Sequence, residues 1–257
     1  MPSRLPRNSS SSRSTVQLLV AYDGTRYAGW QRQRHALTVQ ATLESVLRQI
    51  VGHRVIVTAA GRTDAGVHAW GQVTHATITT RLSPNALCRA LNALVPPDML
   101  IRRVTRVPTT FHARFSAVRK WYRYRIVMGP LKPLFERSYV HFVPRTLNVS
   151  AMRRAAKAWV GCHDFRAFHS TGRSTTSTRR HVHALSVTRQ GREVWIDVEA
   201  DGFLYHMVRR MVGTLLEIGK GRWTPRIAQA LMDHRQPPVV APTAPAKGLC
   251  LMSVSYD

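Results

Sequence analysis

The hydrophobic period along this chain alternates between two residues and about 3.6 in a fixed order, and that order limits the fold more than any other feature. Val16 to Tyr22 is a short apolar run closed by Asp23-Gly24, which reads as a strand and a turn. Val39, Leu43, Val46, Leu47 and Ile50 then recur at helical spacing behind a capping Thr38. Arg54 to Ala59 and Gln72 to Ile78 read as strands around a Gly-rich connection. Ser83-Pro84 caps and opens a helix carrying Leu87, Ala90, Leu91 and Leu94, and Ile101 to Val107 closes the set as a strand. The order is β-α-β-β-α-β, the split βαβ pattern of ferredoxin-like folds.

The remainder repeats that order with longer connections. Trp121 to Val127 is a strand, and Ser150 caps a helix presenting Met152, Ala155, Ala156 and Trp159 before Gly161 stops it. Val182 to Thr188 and Val194 to Val198 are strands joined by a hairpin turn at Gln190-Gly191. A helix from about Leu204 carries Met207, Val208, Met211, Val212, Leu215 and Leu216; another opens at Thr224-Pro225, and Leu249 to Val254 is the last strand. Only the element order repeats, with no residue-level match. The expected fold is α+β, with two ferredoxin-like (RRM-like) halves, residues 16–115 and 116–257, whose antiparallel four-stranded sheets meet at a basic central cleft. Residues 1–15 are rich in Ser, Arg and Pro and are expected to form a disordered basic tail; Pro2 and Pro6 argue against the amphipathic helix of a transit peptide.

With 38 Lys and Arg against 13 Asp and Glu, the formal charge of +25 attracts polyanions, and nucleic acid is the leading partner. At 44% apolar residues the chain can still bury a core. No apolar run approaches the ~18 residues of a membrane span, so a soluble chain is expected. Cys88, Cys162 and Cys250 are widely spaced and odd in number, which reads as free thiols in a reducing compartment rather than a disulfide scaffold or zinc finger. His181 and His183 lie two apart on a strand, but no Cys or acid is placed to complete a metal site. Glycine-rich nucleotide loops are absent, so no metal and no cofactor is expected.

Because acids are scarce, each position matters. Most fit turns, ends or element faces. Asp64 differs: it lies in Gly61-Arg62-Thr63-Asp64-Ala65-Gly66-Val67-His68, between two strands, with an arginine two residues before it. A tight turn at Thr63 to Gly66 accounts for the glycine spacing on its own. Nearby arginines would favour the ionised carboxylate, which can act as a nucleophile or base. In Trp121-Tyr122-Arg123-Tyr124-Arg125, a strand sends both tyrosines to one face and the arginines to the other, where core packing competes with base stacking and phosphate contact. In His206-Met207-Val208-Arg209-Arg210, a long cation on an apolar helix needs a partner, and a scarce carboxylate would be one.

Taken together, these segments resemble the bacterial tRNA pseudouridine synthase A family from Val16 to Tyr256. The string GRTDAGVHAWGQV from Gly61 to Val73 is the most specific. It is supported in order by Tyr22-Asp23-Gly24 with Tyr27, Gly29-Trp30-Gln31, Phe111 to Ala117, Lys120 to Tyr124, Asp164-Phe165 with Phe168, His206 to Arg209, and Gly248-Leu249. The resemblance implies a cofactor-free isomerisation of uridine to pseudouridine at positions 38, 39 and 40 of the tRNA anticodon arm, by a cytoplasmic homodimer in which one tRNA contacts both subunits. It implies that Asp64 is the catalytic aspartate, that Arg209 pairs with it, that Tyr122 stacks on the target base, and that Leu249 lines the pocket. Arg62 joins them as a substrate-binding candidate.

A non-catalytic RNA-binding or RNA chaperone protein accounts for the charge and the aromatics but not for Asp64, since an acid in a phosphate cleft weakens binding unless it performs a task. A ribosomal RNA protein predicts long basic tails rather than a large patterned core.

Overall fold

The computed structural model describes residues 12–170, 175–233 and 239–257. Over these the chain runs β1 (Ser12–Tyr22), α1 (Val39–Val51), β2 (Thr58–Ala59), β3 (His68–Thr80), α2 (Pro84–Leu94), β4 (Met99–Val107) and β5 (Ala117–Met128). It continues through β6 (His141–Val143), α3 (Val149–Ala156), β7 (Gly161–Asp164), β8 (Arg179–Gln190), β9 (Glu193–Ala200), α4 (Met207–Gly219), α5 (Ile227–Asp233) and β10 (Leu249–Tyr256).

Local chemistry explains the well-read boundaries. Thr38 caps α1 by accepting from the Ala41 N–H at 3.4 Å, and Gly52 ends it in the left-handed conformation at φ 76°. Ser83 caps α2 by accepting from the Ala86 N–H at 3.3 Å, with Pro84 in the first turn. Other boundaries differ from expectation. The first strand begins at Ser12, so the expected tail gives up residues 12–15 to pairing with β3, and residues 1–11 lie outside the described ones. The strand expected over 54–59 contracts to Thr58–Ala59. Asn148, not Ser150, caps α3, because its side-chain oxygen accepts from the Ala151 N–H at 3.0 Å and places Ser150 inside the helix. The hairpin loop is Gly191-Arg192, since Gln190 still pairs with Glu193.

The two sheets expected from the sequence are joined into one. Its order is β4-β1-β3-β10-β5-β9-β8-β7, with β2 on β3 and β6 on β5, and the pairings are antiparallel except β3–β10 and β5–β6. The join is the parallel pair β3–β10, through Cys250 opposite His68 and Leu251 opposite Ala69. It forms because β3 extends back to His68, four residues before the strand expected at Gln72. Buried residues of every helix, among them Leu43, Leu87, Met152, Met211 and Leu231, belong to one continuous apolar cluster with the strands. Trp159 is fully buried there, and its indole N–H donates to the Ala228 carbonyl at 3.1 Å, tying α5 to the turn after α3.

Candidate active site

The 60–67 connection that carries Asp64 is held from three sides. Its Thr63 carbonyl accepts from the Trp30 N–H at 3.0 Å, its Gly66 N–H donates to the Tyr27 carbonyl at 3.3 Å, and the Thr63 hydroxyl lies 2.8 Å from the Tyr22 hydroxyl. Gln72, fully buried, donates to the Gly61 carbonyl at 2.8 Å. Burial pushes the Tyr22 phenol up to about 12, so it stays neutral and serves as a fixed hydrogen-bonding post. Gly29 is required here: its φ is +91°, and a Cβ would stand 2.7 Å from the Thr63 carbonyl oxygen. The turn falls one residue later than the Thr63 to Gly66 expected, spanning Asp64 to Val67 with the Val67 N–H donating to the Asp64 carbonyl at 3.1 Å, and the Asp64 side chain lines a cleft.

The cleft's far side is the first turn of α4. There Arg209 donates from Nη1 to Asp64 Oδ2 at 3.1 Å and from Nε to the Ala244 carbonyl at 2.8 Å. The Ala244 N–H returns a bond to the Arg209 carbonyl at 3.0 Å, so the 241–245 segment grips the arginine that grips the aspartate. Side-chain exposures of 16% for Arg209 and 20% for Asp64 leave the carboxylate open to a ligand but mostly shielded from bulk water. His206 Nε2 stands 3.5 Å from the same Oδ2, while its Nδ1 is 2.9 Å from the Ser170 hydroxyl. His206 has φ +63° and is the one non-glycine residue with positive φ among those described, a conformation that costs about 1–2 kcal/mol. It delays the start of the helix expected near Leu204 to Met207 and aims the ring at Asp64.

The cleft encloses about 920 Å³. Asp64, Arg62, Tyr122, Arg209 and Leu249 all line it, together with Arg114, Lys120, Arg180 and Phe203. Tyr122 is 7% exposed and meets Phe203 edge to face, with ring centroids 5.2 Å apart. Burial first, and then the neighbouring Tyr22 and Asp64, push its phenol well above the usual range, so the hydroxyl stays protonated. Leu249, at the start of β10, is buried opposite Tyr124 in the register. On the opposite sheet face, Arg123 lies over Trp195 at 4.3 Å and donates to Asp197, so the alternation read along β5 holds. The rings of His181 and His183 pack 4.3 Å apart outside the cleft, and the described residues hold no group of three or more His, Cys, Asp or Glu side chains placed for a metal.

Sequence reading gave no site role to His206, Ser170, Phe203 or Lys120, although His206 and Lys120 stand in the segments it singled out. The available signal for His206 was its place in the same short segment as Arg209, although it lies just before α4 rather than within it. Lys120 shares the Tyr122 face of β5, two residues earlier, where burial pulls its amine below the ordinary lysine value.

A model of the family described as tRNA pseudouridine synthase matches residues 18–116 and 155–257. Asp64, Arg62, Arg209 and Leu249 fall inside these stretches, and Tyr122 falls between them. The protein called tRNA pseudouridine synthase A in Moorella thermoacetica is 44% identical over 243 residues, covering 94% of this chain and 99% of its own. Its namesake in Syntrophotalea carbinolica is 41% identical over 243 residues, covering 95% and 96%, and that of an Exiguobacterium strain 40% over 242, covering 94% and 98%. A crystal structure of the archaeal box H/ACA sRNP Nop10-Cbf5 complex aligns with a TM-score of 0.36 and 12% identity, over 78% of this chain and 44% of that one. With both matched stretches spanning most of its length and relatives at 40–44% identity from end to end, the chain belongs to the tRNA pseudouridine synthase family.

Proposed function

We propose that this protein converts uridine to pseudouridine in tRNA, at positions 38, 39 and 40 of the anticodon stem-loop, without metal or organic cofactor. The observation that carries the reading is Asp64, anchored by Arg209 at 3.1 Å in a cleft whose other charged lining is Arg62, Arg114, Lys120, Arg180 and a second acid, Asp201. A cleft built only to hold phosphates gains nothing from a carboxylate; one built to act on a ribose needs it.

In the reaction the bond from the ribose to the base nitrogen breaks, the uracil turns, a carbon–carbon bond forms to the same sugar carbon, and the base carbon releases its proton. Asp64 acts on the sugar, either by attacking the carbon that bears the base or by removing a proton from its neighbour to give a glycal. Arg209 keeps the carboxylate aimed, with one bond on Asp64 and a second that anchors the guanidinium to the Ala244 carbonyl. Tyr122 supports the detached base with its ring, and because its hydroxyl stays protonated it assists the final proton loss as a relay rather than as a phenolate. Leu249 closes the apolar side of the pocket, and Arg62, exposed on the same loop as Asp64, contacts the RNA. A uridine inside a stem has to be extruded, at a cost of a few kcal/mol, which contacts between the cleft cations and phosphates offset.

On this reading the chain comprises two ferredoxin-like halves, 16–115 and 116–257, and works in the cytoplasm as a homodimer that shares one tRNA between subunits. The observed neighbour orders β4-β1-β3-β2 and β10-β5-β9-β8 support the paired halves, since each places the first and third strands of its set centrally. The test incubates purified protein with unmodified tRNA transcripts, without metal or nucleotide, and maps pseudouridine by position. Product at the anticodon-arm positions supports the proposal; binding without product returns the chain to the non-catalytic RNA-binding class.

A further inference from the structure

Phe115 is 76% exposed, yet it lines the same cleft as Asp64. It is not a loose side chain. His112 Nδ1 accepts from the N–H groups of Arg114 and Phe115, both at 3.2 Å, and the imidazole stacks on the Phe115 ring with centroids 4.3 Å apart and planes 28° from parallel. His112 is backed in turn by His75 at 4.7 Å, and His75 accepts from the Ala113 N–H at 3.1 Å. The Tyr256 hydroxyl donates to the Ala113 carbonyl at 2.8 Å, fastening the turn to β10. The ring is therefore fixed before any ligand arrives, with an apolar surface left in water.

Its surroundings are cationic. The Arg114 guanidinium lies 5.5 Å from the Phe115 ring centroid, and Lys120 and Arg180 line the same cleft. Burial lowers the Lys120 amine; Asp201 opposes that, and the Arg114 and Arg180 charges add to it. Like charges crowd this wall. A fixed, exposed aromatic face beside such cations matches a nucleobase together with its phosphate, because every base has a π-face to stack and the cations recover their counter-charge from the backbone. Tyr122, at 7% exposure, lies inside the cleft, so the two rings meet different nucleotides.

We infer that Phe115 is a stacking platform for an unpaired nucleobase next to the reacting uridine, with Arg114 on the adjoining phosphate. This rests on the tRNA reading above. The test uses full-length protein, its Phe115→Ala and Phe115→Trp variants, and anticodon stem-loop RNA carrying 2-aminopurine at successive loop positions. At one position, wild type and Phe115→Trp quench the fluorescence on binding and Phe115→Ala does not, while alanine weakens affinity roughly five- to 150-fold. The single-turnover rate at saturating RNA changes far less than the affinity. Wild-type affinity and quenching in Phe115→Ala overturn the inference. So does a variant whose only change is its self-association, which would make the ring a contact between copies. If wild type binds with Phe115-dependent quenching but forms no pseudouridine, the platform stands and the catalytic reading fails.

Discussion

Replacing Arg209 with alanine tests the site at its most connected point. The substitution removes the 3.1 Å bond to Asp64 and the 2.8 Å bond to the Ala244 carbonyl. Hydrogen bonds with a charged partner contribute about 1.5–3 kcal/mol each, and because Asp64 keeps 20% exposure, water replaces part of its lost bond. The expected destabilisation is therefore about 2–4 kcal/mol, or about 4–16 °C in the thermal midpoint at this chain length. If Asp64 acts on the sugar as proposed, turnover falls further, by about 10²–10³-fold, because a carboxylate that drifts by ~1 Å loses its geometry toward the reacting atoms. Arg209→Lys keeps the charge but cannot fork to two acceptors in fixed directions, so it recovers part of the stability and little of the rate. The assay is single-turnover pseudouridine formation well below each variant's own midpoint, with a double-mutant cycle against Asp64→Asn. An Arg209→Ala protein with a normal midpoint and full rate, or additive rate losses in the cycle, refutes the pairing role.

Asp64→Asn should abolish product while tRNA affinity holds or rises slightly, since an anion leaves a cationic cleft; a filter-binding titration beside product mapping checks both. Tyr122→Phe should keep affinity and lose rate by about 10²-fold or more if the hydroxyl relays the last proton, and an unchanged yield excludes that role. Gly29→Ala forces a side chain into φ +91° against the Thr63 carbonyl and should cost about 1–3 kcal/mol by urea denaturation, with turnover falling as the Asp64 loop shifts. His141 is pushed down to about 4 by burial first and then by Lys220 and Lys247. The unfolded imidazole takes its proton near pH 6.5 and the folded one resists to about 4, so stability present above pH 6.5 is lost as the pH falls between those values. His141→Gln should flatten that part of the stability–pH curve relative to wild type, and parallel curves would remove His141 as its cause.

Where one local interaction decides an outcome, the sequence was legible. Thr38 and Ser83 each have a helical run behind them, and both cap as read. Asp64 stood out because acids are rare; a cation in need of a partner was legible in His206 to Arg210, but only the family resemblance chose Arg209 over Arg210. Where two groups compete or a partner is distant, it was not. Asn148 and Ser150 are both good caps two residues apart, and only the backbone path selects Asn148. The short strands β6 and β7 have three and four residues, too few for a period to show. The left-handed His206 could not be anticipated, because nothing in a histidine announces φ +63°. The expected pair of sheets held the strands observed as β1 to β5 and β8 to β10, with β2 shorter than expected, but nothing in them reveals an edge partner.

That edge matters more to the chemistry than its short register suggests. Asp64 and Arg62 come from the β2–β3 connection, whereas Tyr122, Arg209 and Leu249 come from β5, α4 and β10. Each side of the β3–β10 seam thus carries one member of the Asp64–Arg209 pair. The parallel pairs His68–Cys250 and Ala69–Leu251 begin four residues beyond Asp64 on one strand and one residue beyond Leu249 on the other. A shift of either strand along the seam therefore moves Asp64 relative to Leu249 and to the α4 turn together. The continuous sheet acts as the jig that fixes an acid from one part of the chain against a guanidinium from the other. Loosening the seam should lower turnover before it lowers the thermal midpoint, because the core spreads over the whole sheet while the ion pair depends on this one join.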